Sequence, residues 1–144
     1  MHEYQIIAVA GRNKRMKDKF NRLVENYNVA DRVKVLDYTK KVPELMHISS
    51  MVVTKPGGLT LTESLVSNLP ILIVNPIPGQ EEENADFLVR QGVGIWIKKE
   101  DEIAKIIKHV YRHPEQVEEM RKEVKKLAKP NSTKDICEIL MNTL

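Results

Sequence analysis

TKPGGLTLTESLVSNLPILIVNPIPGQEEEN, residues Thr54–Asn84, holds three of the chain's six glycines and four of its seven prolines. Met51-Val52-Val53-Thr54 before it is short, apolar and β-branched, as a buried strand is. Pro56-Gly57-Gly58 forbids a regular element there and lets the backbone approach a ligand closely. From Leu59 to Ser67, apolar residues recur at Leu61, Leu65 and Val66, a helical spacing that leaves Glu63 on another face. Ile71-Leu72-Ile73-Val74 reads as a second buried strand, which Asn75-Pro76-Ile77-Pro78-Gly79 breaks. Strand, glycine turn and helix start together offer free N–H groups and a positive helix end to an anion, most simply a phosphate.

The same alternation runs outward in both directions. Gln5–Ala10 predicts a strand buried on both faces, and Gly11-Arg12-Asn13 turns into a helix with Met16, Phe20, Leu23, Val24 and Tyr27 inward. The other face of that helix carries Arg12, Lys14, Arg15, Lys17, Lys19 and Arg22: a solvated face, or one drawn to anionic lipid. Val33–Leu36 is the next strand, and Pro43 suits the first turn of a helix around Val42–Ser49. Beyond the central stretch come a helix from Glu81 to Gln91 that stops at Gly92, and a strand at Gly94–Ile97. Helices follow at Asp101–Arg112, from Pro114 up to Pro130, and from an Asn131-Ser132 cap to Leu144. Strands alternating with helices predict an α/β, Rossmann-like parallel sheet with helices on both faces, in one domain spanning residues 1–144. The Gly11, Tyr38, Lys55–Gly58 and Asn75–Glu81 loops then follow the C-terminal strand ends, where such sheets bind ligands.

Composition narrows the function classes. The chain has 144 residues, 42% of them hydrophobic, enough for a sizeable core. A net charge of +3 with few aromatics supports neither a strongly basic nucleic-acid footprint nor a stacking platform. The single cysteine, Cys137, excludes a disulfide framework and reads as a small core residue. His2, His47, His109 and His113 lack ligand spacing, so no metal site is expected. No apolar run approaches a membrane span, and the expectation is a cytoplasmic protein.

Lys55-Pro56-Gly57-Gly58-Leu59-Thr60-Leu61-Thr62-Glu63, followed by Pro76-Ile77-Pro78-Gly79-Gln80-Glu81-Glu82-Glu83-Asn84-Ala85, closely resembles the donor-binding region of lipid-directed GT-B glycosyltransferases. That group includes diacylglycerol glucosyltransferases, monogalactosyldiacylglycerol synthases and the GlcNAc transferase of the undecaprenyl-linked peptidoglycan precursor; the PGQE…N form looks most like the diacylglycerol branch. The resemblance runs from about Tyr4 to the C-terminus. It implies the C-terminal half of a GT-B fold lacking its first strand, with the acceptor domain and the catalytic base absent. It implies an inverting, metal-independent hexose transfer from a UDP-sugar, the donor being a substrate and no cofactor being needed. The acceptor would be a membrane lipid of diacylglycerol type, and the full enzyme would sit peripherally on the cytoplasmic membrane face.

Residue by residue, the resemblance places UDP on Tyr38, Thr39, Lys55, Gly57, Gly58, Leu59, Thr60 and Glu63, with Tyr38 and Thr39 beside the uracil and Glu63 on the ribose diol. It places the donor sugar on Pro78, Gly79, Gln80 and Glu81. Each has a plainer reading. Gly57-Gly58 makes a tight turn, Thr60 opens a helix, Lys55 and Glu63 are solvated, and Gln80 and Glu81 cap a helix. Asn84 reads as structural. Two alternatives stay open: a non-catalytic remnant or interaction module, and a UDP-GlcNAc epimerase. The epimerase would be expected to carry an acidic SDSGG-type turn where this chain has Thr54-Lys55-Pro56-Gly57-Gly58. A sheet edge left open by a missing strand would favour self-association.

Overall fold

The computed structural model describes residues 4–143, so His2 and Leu144 lie outside the described residues. The chain divides into two compact units, Met1–Val42 and Pro43–Leu144. Each unit is organised by its own parallel sheet.

In the first unit, β1 (Ile6–Val9) pairs in parallel with β2 (Val33–Leu36), in a register that sets Ile6 beside Val33 and Val9 beside Leu36. The helix α1 (Lys14–Asn26) makes the crossover. Asn13 caps it by accepting a 3.0 Å hydrogen bond from the Met16 amide. The expectation that β1 is buried on both faces is wrong: Ile6, Ile7 and Val9 are 41%, 39% and 44% exposed. An apolar run reaches zero exposure only when strands flank it and helices cover both its faces. Among the described residues β1 has one partner strand.

The second unit begins with α2 (Val42–Ile48), whose first residue belongs to the preceding unit. It then alternates β3 (Val52–Thr54), α3 (Gly58–Val66), β4 (Ile71–Val74), α4 (Gln80–Arg90) and β5 (Gly94–Ile97). A 3₁₀ turn at Glu100–Glu102 leads to α5 (Ile103–Arg112), α6 (Pro114–Leu127) and α7 (Ser132–Thr143). The sheet order is β3-β4-β5, all parallel. The central β4 carries Ile71, Leu72 and Ile73, all fully buried. Ile71 and Ile73 share one face and pack with Leu65, Ala85, Leu88, Val93 and Val124.

Three helices end in the same way. Asn28, Asn68 and Gly92, each with positive φ, follow the last turn of α1, α3 and α4. The next amide bonds back five residues in each case: Val29 to Val24, Leu69 to Ser64, and Val93 to Leu88. Sequence reading finds the glycine stop and misses the two asparagines, which tolerate the left-handed conformation less cheaply. Cys137 is also misread. It is exposed on α7, a helix with no buried residue, so it contributes nothing to the core.

Candidate functional site

In the second unit the turn after β3 and the loop after β4 are tied to each other. Pro56 is buried, and its carbonyl accepts a 2.8 Å hydrogen bond from the Asn84 side-chain amide, one turn into α4. A Cβ built on Gly57 would lie 3.8 Å from Glu81 Oε1, which places the glycine turn against the start of α4. Glu81 in turn accepts a 2.7 Å bond at Oε2 from the Ile77 amide, clamping the Pro76–Gly79 loop. Gly79 supports that loop with φ +97° and ψ −123°, a conformation open essentially to glycine alone.

The start of α3 leaves its first amides without a side-chain cap. Gly57 is its N-cap in an extended conformation with no side chain satisfying the first-turn amides. Gly58 and Leu59 are exposed and Thr60 is half-buried, so these N–H groups and the helix dipole face the surface. Thr62 Oγ1 donates 2.9 Å back to the Gly58 carbonyl, and buried Ser64 donates 2.7 Å to the Thr60 carbonyl. Both bonds satisfy carbonyls, not the free amides. Leu59, Thr60 and Glu63 share a helical face, and Glu63 is exposed on it. Lys55 is exposed just before the turn.

The start of α4 is different in kind. Gln80 is exposed, Glu81 is half-buried, and Glu81, Glu82 and Glu83 crowd the first turn, where the dipole favours acids. With Oε2 held by Ile77, Glu81 keeps Oε1 as a free acceptor for hydroxyl groups. The loop clamp and the proposed sugar contact are therefore compatible. Asn84, expected to be structural, is the link between the two loops.

Tyr38 and Thr39 belong to the first unit, in the loop after β2. Tyr38 is exposed, with the Arg12 guanidinium 4.8 Å above its ring, and Thr39 Oγ1 accepts a 3.0 Å bond from the Lys41 amide. The Arg12 contact is invisible to spacing rules, because Arg12 and Tyr38 are carried by the loops after two different strands of one sheet. Glu81's bond to an amide four residues earlier has a local signal, an acid one turn past a loop amide. His47 is exposed on α2. Among the described residues no group of three or more His, Cys, Asp or Glu side chains could hold a metal ion.

The model of the glycosyltransferase family 28 C-terminal domain matches residues 1–136. The chain belongs to that family. Curated relatives agree with the assignment. The chain is 34% identical to the processive diacylglycerol beta-glucosyltransferase of Bacillus subtilis (strain 168) over 140 residues, 96% of this chain and 36% of the relative. The enzyme of the same name from Staphylococcus haemolyticus (strain JCSC1435) is 34% identical over 97% of this chain and 35% of its own length. This family 28 domain thus spans little more than a third of the relatives it matches. Among solved structures, spinosyn forosaminyltransferase SpnP superposes with a TM-score of 0.62 at 16% identity, over 95% of this chain and 43% of that one. The glycotransferase of kitacinnamycin gives a TM-score of 0.60 at 16% identity, over 93% and 42%. The α/β, Rossmann-like architecture expected from the sequence is that of the C-terminal half of GT-B glycosyltransferases.

Proposed function

We propose that this domain binds the UDP-hexose donor of an inverting, metal-independent glycosyltransferase that passes the hexose to a diacylglycerol-type lipid. The observation that carries this reading is the Asn84–Pro56 hydrogen bond, which holds an uncapped helix start, a glycine turn and the Gly79–Glu81 loop together. UDP lies with its diphosphate on the amides of Gly58, Leu59 and Thr60 and its ribose diol on Glu63; Lys55 faces the charge. The family resemblance alone gives the uracil to Tyr38 and Thr39, which belong to the first unit. Pro78, Gly79, Gln80 and Glu81 receive the hexose hydroxyls.

In the transfer, an acceptor hydroxyl attacks the anomeric carbon, its proton passes to a base, and the bond to the UDP oxygen breaks with inversion. Negative charge grows on the leaving diphosphate. The α3 amides are oriented before reaction, so they stabilise that charge without reorganising. The base and the acceptor site would fall in the two thirds of the relatives' length that this chain does not match. Attack on a lipid would keep the whole enzyme peripheral to the cytoplasmic membrane face.

Calorimetric titration with UDP and UDP-glucose, beside Glu63→Ala, tests the reading. Saturable UDP binding that Glu63→Ala weakens supports it. Binding unchanged by the substitution removes Glu63 from the ribose, and binding of an unrelated nucleotide equal to that of UDP removes the uridine assignment.

A further inference from the structure

The loop after β4 separates two surfaces at the C-terminal edge of the second sheet. On its β3 side lies the turn at Gly57, against which the Glu81 carboxylate is turned. On its β5 side Asn75, Pro76, Glu82, Trp96, Ile97 and Lys98 line an open depression of about 420 Å³ that the donor reading leaves unused. That volume falls within the roughly 300–1,000 Å³ of small-molecule sites. Trp96 stands beside Ile73 in the parallel ladder and packs against the core, so its ring is half-buried and held from within. Asn75 ends β4 with φ +43°, a left-handed turn that asparagine tolerates, and its side-chain amide donates a 3.3 Å hydrogen bond to Glu100 Oε1. Glu82 follows Glu81 about 100° round α4. One carboxylate therefore clamps the Ile77 amide while the next lines the depression.

The charges decide what kind of ligand fits. Lys98 Nζ lies 4.7 Å from the centroid of the Trp96 ring, so the place a ligand cation would take is already filled. Glu82 on the wall, with Glu100 bonded to Asn75, sets two carboxylates against a ligand phosphate or carboxylate. An apolar ligand would cover the Glu82 carboxylate without giving it a partner. A neutral ligand with several hydroxyl groups uses everything present. The carboxylates accept from its O–H groups, the Lys98 ammonium donates to its oxygens, and Trp96, Pro76 and Ile97 offer an apolar wall to its C–H groups. A pyranose ring has both halves, hydroxyls round its rim and C–H groups on its faces.

We infer that the depression between the loop after β4 and the end of β5 is a saccharide site for a neutral hexosyl group, separate from the donor-hexose position at Gly79–Glu81. The choice of a hexosyl group rests on the hexose-transfer reading; the site itself rests on the depression and its charges. Trp96 is the chain's single tryptophan, so its emission reports on this place alone. Titration with methyl β-D-glucopyranoside gives a saturable change in that emission, with a Kd of about 1 mM for a ligand of this size. Glycerol at the same concentrations gives none. Glu82→Gln keeps the shape and removes the charged acceptor, which weakens binding about five- to tenfold. Asn75→Gly suits the positive φ, removes the side-chain amide and weakens it as well. Octyl β-D-glucoside below its micelle concentration separates two sources of the sugar: tighter binding than the methyl glucoside assigns a glycolipid headgroup, equal binding a free sugar.

Circular dichroism shows both variants folded, and their UDP titrations match the parent. The glucoside response persists in Glu63→Ala and in saturating UDP-glucose, so failure of the donor reading and failure of this one are read separately. No saturable change at concentrations well above that Kd, an equal response to glycerol, or variants that bind as the parent does overturns the assignment. So does a response that UDP-glucose abolishes, which puts the glucoside in the donor position. A stronger response to inorganic phosphate or to tetramethylammonium overturns it too, since the site then serves a charged ligand.

Discussion

Asn84→Ala cuts the only side-chain bond that ties the turn after β3 to the helix after β4 among the described residues. The bond is 2.8 Å long, and the acceptor is the carbonyl of buried Pro56. Alanine leaves that carbonyl without its donor, and an unsatisfied buried acceptor costs about 1–3 kcal/mol. Unfolding entropy of about 2.1 cal/mol/K per residue converts this into a fall in Tm of roughly 3–10 °C over a chain of 144 residues. The two loops also lose their mutual restraint, so binding must order them. At about 0.5–1.5 kcal/mol per immobilised side chain, affinity for UDP-glucose falls by roughly 2–10-fold.

Asn84→Asp separates the hydrogen bond from the shape. At neutral pH its carboxylate is an acceptor facing an acceptor, so the loss is at least that of alanine. Protonation at low pH restores a donor and recovers part of it. Thermal denaturation at two pH values, paired with calorimetry, reads both effects. An Asn84→Ala protein with unchanged Tm and unchanged affinity would show that other contacts hold the loops, and the site would lose the observation on which it rests.

Three further outcomes follow from particular contacts. Glu63→Ala loses hydrogen bonds to a charged acceptor, about 1.5–3 kcal/mol, or roughly 10–150-fold in UDP affinity. It also erases the preference for UDP over 2′-deoxy-UDP in the same calorimeter. Gly94→Ala drives a Cβ to 3.0 Å from Ile73 Cδ1, 3.1 Å from Leu88 Cβ and 3.3 Å from the Ile71 carbonyl oxygen. The backbone oxygen cannot yield, so urea denaturation shows a loss of about 1–3 kcal/mol. Finally, the Glu115 carboxyl sits below its ordinary range, first through its backbone hydrogen bond and then through His113, 2.9 Å away. A depressed folded pKa stabilises above the unfolded value and is lost as pH falls through the folded one. Glu115→Gln therefore differs from the parent at neutral pH and converges with it in acid, by a small margin because the pair is exposed.

The elements legible in the sequence are those whose cause is local. Pro56-Gly57-Gly58 stops a strand and starts a helix for reasons contained in three residues, and α3 begins at Gly58. The Ile71–Val74 run is apolar enough to need burial on both faces, and it lies at the centre of the second sheet. The proposed donor face rests on local features in the same way: backbone amides at a helix start and residues within one turn of it. Glu81's bond to Ile77 also lies within five residues, but it holds the loop before α4 and does not cap that helix, as the plainer reading had it.

Burial is not local, and that is where sequence reading misses. Gln5–Ala10 has the composition of a core strand, yet β1 is exposed because one pairing strand cannot shield an apolar run. Cys137 sits at a helical spacing with Ile136, Ile139 and Leu140, which reads as a stripe facing a core. In the structure α7 has no buried residue and all of these are exposed. The same reasoning separates the two halves of the α1 stripe. Met16, Phe20, Leu23, Val24 and Tyr27 are indistinguishable by period, and only packing reveals that Phe20 and Val24 turn inward while Met16 and Leu23 stay out beside the cations. Periodicity states which residues share a face; what covers that face depends on groups distant in the chain or outside it. The apolar positions that stay exposed after folding are therefore the places to look for partners.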